Sequence, residues 1–111
     1  MNFFCNNNID SNGSCLQGHF KARFIDLVAV FGEPTEGDDY KVSGVWKFMG
    51  DDGRVFTLYD WKSTGLYDDG LPSVVDFRKS TRAVRFNIGG HDSCVDFVVW
   101  LETKVAGMGV M

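Results

Sequence analysis

A chain of 111 residues with a net charge of −4 and 44% apolar residues, including ten Phe and three Trp, has the length of one domain and can bury a core without metal or disulfide staples. That composition excludes a disordered chain. The acidic balance and the absence of a Lys/Arg run speak against a plain nucleic-acid binder, which carries a basic face.

The first fourteen residues, with Asn6, Asn7, Asn8, Asn12 and Gly13, read as a polar N-terminal tail or loop. They lack the basic start and long apolar stretch of a signal peptide. No apolar run in the chain approaches the ~20 residues of a membrane span. Cys15 to Phe20 reads as a short strand. Residues 21 to 31 read as a helix, because Phe24, Leu27, Val28 and Phe31 fall at i, i+3, i+4 and i+7 on one face. Gly32 and Pro34 end it. Thr35 to Asp39 is an acidic loop.

Tyr40 to Met49 and Arg54 to Trp61 alternate as two strands around a Gly50-Asp51-Asp52-Gly53 turn, a β-hairpin. If Met49 opposes Arg54, then Phe48 faces Val55, Trp46 faces Thr57, Gly44 faces Tyr59 and Val42 faces Trp61, all on one aromatic face. A loop from Ser63 to Leu71 leads to a short helix from Pro72 to about Lys79. Val84 to Ile88 is a strand broken by Gly89-Gly90. Asp92 or Ser93 caps a last helix running to about Val105, with Cys94, Val98, Leu101 and Val105 as its inner stripe, widened by Phe97. Residues 106 to 111 read as a flexible tail. The expected fold is a single α+β domain over 15–105, an antiparallel sheet built on a central hairpin with two to three helices.

Cys5, Cys15 and Cys94 are odd in number and show no CxxC spacing, which suits a reduced, cytoplasmic chain, with a Cys5–Cys15 bridge as the alternative. His19 and His91 have no evident partner. A Cys94–His91 pair is conceivable at three residues' separation, but Cys94 falls on an apolar stripe and reads as inert. No metal or cofactor is implied, and a binder is expected rather than an enzyme.

Two segments have the residue types of a nucleotide-like pocket. One is Tyr59, Asp60, Trp61 and Lys62 with Tyr40 and Lys41 opposite, where rings stack on a flat ligand and Lys meets a phosphate. The other is Asn87, Ile88, Gly89 and Gly90, entering a helix whose first amides favour an anion. The commoner reading of the same residues is core rings and a turn needing backbone freedom. The acidic loop residues Glu33, Glu36, Asp38, Asp39, Asp51, Asp52, Asp68 and Asp69 offer a third possibility, mimicry of phosphates towards a basic protein.

Four motifs stand in a familiar order: Phe31-Gly32-Glu33-Pro34, Tyr40-Lys41-Val42 with Trp46, Tyr59-Asp60-Trp61-Lys62, and Phe86-Asn87-Ile88-Gly89-Gly90. Over residues 16 to 100 the chain resembles a family of small, largely uncharacterised bacteriophage proteins. It departs from that pattern at Asp39, where Gly is frequent, and at Phe86, where Trp is frequent. The resemblance implies a phage-type counter-defence protein in the host cytoplasm. Such a protein would be a non-catalytic sponge for a nucleotide-like immune signal, with a homodimer as the expected assembly. The alternatives are an anti-CRISPR-like inhibitor of a host defence protein, acting through the acidic surface, and a small hydrolase of a nucleotide signal. The implied binding residues are Tyr40, Lys41, Trp46, Tyr59, Asp60, Trp61, Lys62, Asn87, Gly89 and Gly90.

Overall fold

The computed structural model describes residues 2–6, 8–9, 14–36, 42, 44–60, 67–68 and 70–109. Six strands, β1 (Phe3–Cys5), β2 (Cys15–Ala22), β3 (Thr35–Glu36), β4 (Gly44–Gly50), β5 (Val55–Tyr59) and β6 (Val84–Gly90), make one sheet, and every pairing in it is antiparallel. Three helices, α1 (Phe24–Phe31), α2 (Val74–Lys79) and α3 (Val95–Gly109), complete the α+β fold. The strand order is β1-β4-β5-β6-β2, with β3 beside β1 on the outer edge of β4. The hairpin β4–β5 thus lies inside the sheet, as the alternating pattern predicts.

Alternation along the strands sends one set of side chains to each face. Phe48, Trp46, Phe56, Leu58, Ile88 and Phe86 point to the face that the helices cover, and all six are fully buried. The helices add Phe24 and Leu27 from α1, Phe77 from α2, and Phe97 and Leu101 from α3. Phe97 stacks on Phe56 with ring centroids 4.8 Å apart and planes 6° apart. Phe31 meets Phe48 edge-on at 5.0 Å. The apolar stripes read for α1 and α3 are therefore the faces that close the core.

The hairpin register differs from the expected one by a single residue. Gly50 donates its amide to the Arg54 carbonyl at 2.9 Å, and Met49 pairs with Val55. The loop is three residues, Asp51-Asp52-Gly53, with Gly53 at φ +83°. A left-handed third residue is what a three-residue hairpin loop requires. Counting Gly50 into the turn lengthens the loop by one, and a one-residue slip exchanges the faces of the returning strand. Phe56 and Leu58 therefore join the core, and Tyr59 turns to the other side. Asp52 supports the turn: it accepts the Arg54 amide at 3.1 Å and pairs with the Arg54 guanidinium at 2.6 Å. The Arg54 amide and guanidinium hold the Asp52 carboxyl below its usual range.

Other boundaries shift for identifiable reasons. Lys21 and Ala22 pair with Arg85 and Val84, so β2 takes them and α1 begins at Phe24. Phe3–Cys5, within the stretch read as a tail, pairs with Gly50, Met49 and Phe48. Ser73, one residue after Pro72, caps α2 by accepting the Asp76 amide. Gly89 and Gly90 do not break β6. Each pairs on both sides, with Thr57 and Leu16, and with Phe56 and Cys15. Finally, α3 continues past Val105 to Gly109. Among the described residues, no helix is long and apolar enough to cross a membrane.

Candidate functional site

All three helices lie on one face, and among the described residues no helix covers the other. That second face can be read row by row across the strands. Phe4, Met49 and Val55 form an apolar end, followed by Lys47, Thr57, Gly89 and Leu16. The next row is Val45, Tyr59, Asn87 and His19, and the last is Arg85 beside Lys21. Phe4 and Leu16 are 51% and 56% exposed. His19, Lys21 and Arg85 are also exposed, while Tyr59 and Asn87 are half-buried. The face thus grades from apolar at one corner to cationic at the opposite one.

Of the residues expected in the site, the structure brings together Tyr59, Asn87 and Gly89. Tyr59 and Asn87 are direct cross-strand partners. A Cβ on Gly89 would sit 2.6 Å from Thr57 Oγ1 and 3.5 Å from Tyr59 Cε1. Glycine there lets the tyrosine ring and the Thr57 hydroxyl lie down against the backbone. It is Gly89 that makes room beside this ring. Gly44 faces the opposite side, where its Cβ would meet Pro34 Cγ at 2.9 Å.

Three other expected residues belong to the core side. Trp46 is fully buried, packs on Phe24 at 5.1 Å, and donates its Nε1–H to the Gly32 carbonyl at 2.8 Å. Asp60 is 1% exposed and accepts the Gly44 amide at 2.9 Å. Gly90 lies under the Phe56 ring, whose Cδ1 would be 2.8 Å from an added Cβ. Because Gly89 and Gly90 are strand residues, their backbone groups serve the sheet ladder rather than an anion-binding turn. Tyr40, Lys41, Trp61 and Lys62 lie outside the described residues.

The sequence reading missed His19, Lys21 and Arg85, which line an open depression of about 460 Å³ on the face that no described helix covers. Their signal was period-two spacing, His19-x-Lys21 in one strand and Arg85-x-Asn87 in another. Assigning residue 21 to a helix concealed it. Three of the acidic loop residues have partners within the chain: Asp51 accepts the Asn2 amide beside β1 at 3.2 Å, Asp52 binds Arg54, and Asp68 accepts the Gly70 amide at 2.9 Å. Among the described residues, no three of His, Cys, Asp and Glu converge as metal ligands would.

None of the three cysteines forms a disulfide. Cys5 in β1 and Cys15 in β2 lie on opposite edges of the sheet. Four strand spacings put them roughly 19 Å apart, far beyond the 7 Å limit for a disulfide. The Cys94 thiol is buried, with its Sγ 3.5 Å from the Gln17 carbonyl rather than directed at His91, which is exposed. Burial pushes the Cys5 thiol up. A thiol-specific chromogenic reagent should label Cys15 rapidly, and Cys5 and Cys94 only on unfolding. Rapid labelling of all three in the folded protein would contradict this arrangement.

No protein-family model and no curated protein sequence matches the chain.

Proposed function

We propose that this protein binds a nucleotide-type ligand on the open face of its sheet and holds it without chemical change. In the setting the motif resemblance implies, it would be a phage-type counter-defence protein that sequesters a nucleotide immune signal. The observation that carries this reading is the cross-strand row Tyr59, Asn87 and His19, with cations one step beyond it. A tyrosine ring lying against a sheet offers a π-face to a base. An asparagine amide offers one donor and one acceptor to a base edge. The backbone under both is rigid, so little ordering is needed on binding.

Incubation with cyclic mono- and dinucleotides and ADP-ribose derivatives, followed by heat release, tests the reading. The expected result is a retained ligand released unchanged, with affinity falling about 5- to 150-fold in Tyr59→Ala, the range for loss of one stacked base. Absence of retention and of any thermal shift across the panel would sink it. Recovery of a product would replace it with hydrolysis. A host-protein complex that dissociates at high salt would replace it with the acidic-surface inhibitor. That second reading has less behind it, because Asp51, Asp52 and Asp68 already have hydrogen-bond partners within the chain.

A further inference from the structure

We infer that the corner formed by Lys21, Arg85 and His19 is a phosphate-binding subsite, the seat of the ligand's anionic end. The inference deepens the reading of the helix-free face given above and shares His19 with it, but it stands chiefly on Lys21 and Arg85. Lys21 and Arg85 are direct cross-strand partners in the β2–β6 pair, and both side chains are exposed. Directly opposed residues hold their Cβ atoms about 4.5–5.5 Å apart, and like charges so placed destabilise a sheet. One neutral residue at either position would remove that repulsion. A bound anion removes it as well, and gains from both charges.

Two other arginines contrast with this pair. Arg23 pairs with Asp26 at 2.7 Å, and Arg54 with Asp52 and Asp96 at 2.6 and 3.2 Å. Those arginines are neutralised by their own carboxylates. Among the described residues, no carboxylate pairs with Lys21 or Arg85, although the chain as a whole carries a net charge of −4. The depression is lined by His19, Lys21 and Arg85. Glu102 of α3 borders a neighbouring depression that reaches His19 and Lys21 around the sheet edge.

The three side chains have complementary donor chemistry. Arg85 has a planar fork suited to two phosphate oxygens, Lys21 a mobile point charge, and His19 a ring N–H. His19 is opposite Asn87, which is opposite Tyr59. A base on Tyr59 and Asn87 therefore leaves its phosphate over this corner. The ligand class is a nucleotide with an accessible phosphate or diphosphate, rather than a nucleoside.

Amide NMR of the full chain, titrated with inorganic pyrophosphate, is the test. Shifts should concentrate at residues 19–21 and 85–87, weaken at least fivefold in Lys21→Gln or Arg85→Gln, and vanish in the double variant. Without anion, Arg85→Gln should melt about 1–4 °C higher, because the like-charge repulsion is gone, and pyrophosphate should no longer raise its midpoint. Shifts scattered over the other cations, or unchanged in the double variant, would overturn the subsite. Adenosine, ADP and a short single-stranded oligonucleotide form the remaining arms. If pyrophosphate binds and no nucleotide does, the stacking reading fails and the subsite stands. If ADP binds equally to both single variants and to the parent chain, the subsite fails and the stacking reading stands. Tighter binding of ADP than of the oligonucleotide assigns the phosphate to a small molecule, and the reverse order assigns it to a nucleic acid. Either order, if abolished in the double variant, supports the subsite.

Discussion

Trp46→Ala is expected to destabilise the protein by about 3–5 kcal/mol, the usual cost of emptying a large aromatic site in a core. A domain of this size has roughly 5–15 kcal/mol of stability in total, so the variant should lose a large share of it. Two losses combine. The indole is fully buried against Phe24 and Phe86, at 5.1 and 6.2 Å. Its Nε1–H also ties β4 to the end of α1 through the Gly32 carbonyl. Trp46→Phe largely separates the two, because it keeps most of the apolar volume while removing the hydrogen bond. Gly32 is exposed, so water can replace the lost donor, and a loss of about 1 kcal/mol is expected. Urea unfolding gives both values, provided the denaturant slope is unchanged. A stable Trp46→Ala protein with weakened ligand binding would return Trp46 to the site.

The second large effect is expected at Asp60. Asp60→Ala should cost about 2–3 kcal/mol, because it strips a buried carboxylate from the Gly44 amide and leaves that donor without an acceptor. Asp60→Asn keeps an oxygen in place and should cost about 1 kcal/mol. The difference between the two variants, measured in the same denaturation series, isolates the acceptor. Equal and small losses would mean that water satisfies Gly44 as well as Asp60 does.

Trp46 and Asp60 belong to one joint in the fold. Gly32 receives the indole, Pro34 packs where a side chain on Gly44 would be, and the Gly44 amide reaches Asp60. Arg78 approaches the same spot, with Nη2 at 3.4 Å from the position of a Gly44 Cβ. Residues from three of the four motifs that carry the phage resemblance thus meet where β4 and β5 leave the sheet. A set of aromatic, acidic and glycine residues in fixed order looks like a binding motif in one dimension, and here much of it is a structural clasp.

Much of the fold was legible for good reason. The stripe from Phe24 to Phe31 and the stripe through Phe97 and Leu101 have helical period, and both face the core. The hairpin was legible in kind but not in register, because Gly50 could belong to strand or turn, and only Gly53's left-handed conformation decides the loop length. The face of every residue from Val55 to Asp60 hung on that one choice. β1 was too short and too close to an asparagine run to show a period. Of the candidate site, Tyr59, Asn87 and Gly89 were found by residue type. The pairing of Lys21 with Arg85 was not, because it joins segments far apart in the chain and like charges give no reason to pair.

The β2–β6 pairing also has a consequence for how the protein is made. Its partners lie about seventy residues apart, so β2 leaves the ribosome long before β6 exists. During that interval the exposed Leu16 edge and the rings of β4 and β5 have no cover from α3, which supplies Phe97 and Leu101 afterwards. The hairpin can form early on a nascent chain, since its closure is local, whereas the sheet must wait for a long-range encounter. A translation pause once the hairpin has left the ribosome and before β6 follows would therefore hold an aromatic, sticky hairpin in the open. Recruitment of chaperones to this protein should concentrate in the window before β6 emerges.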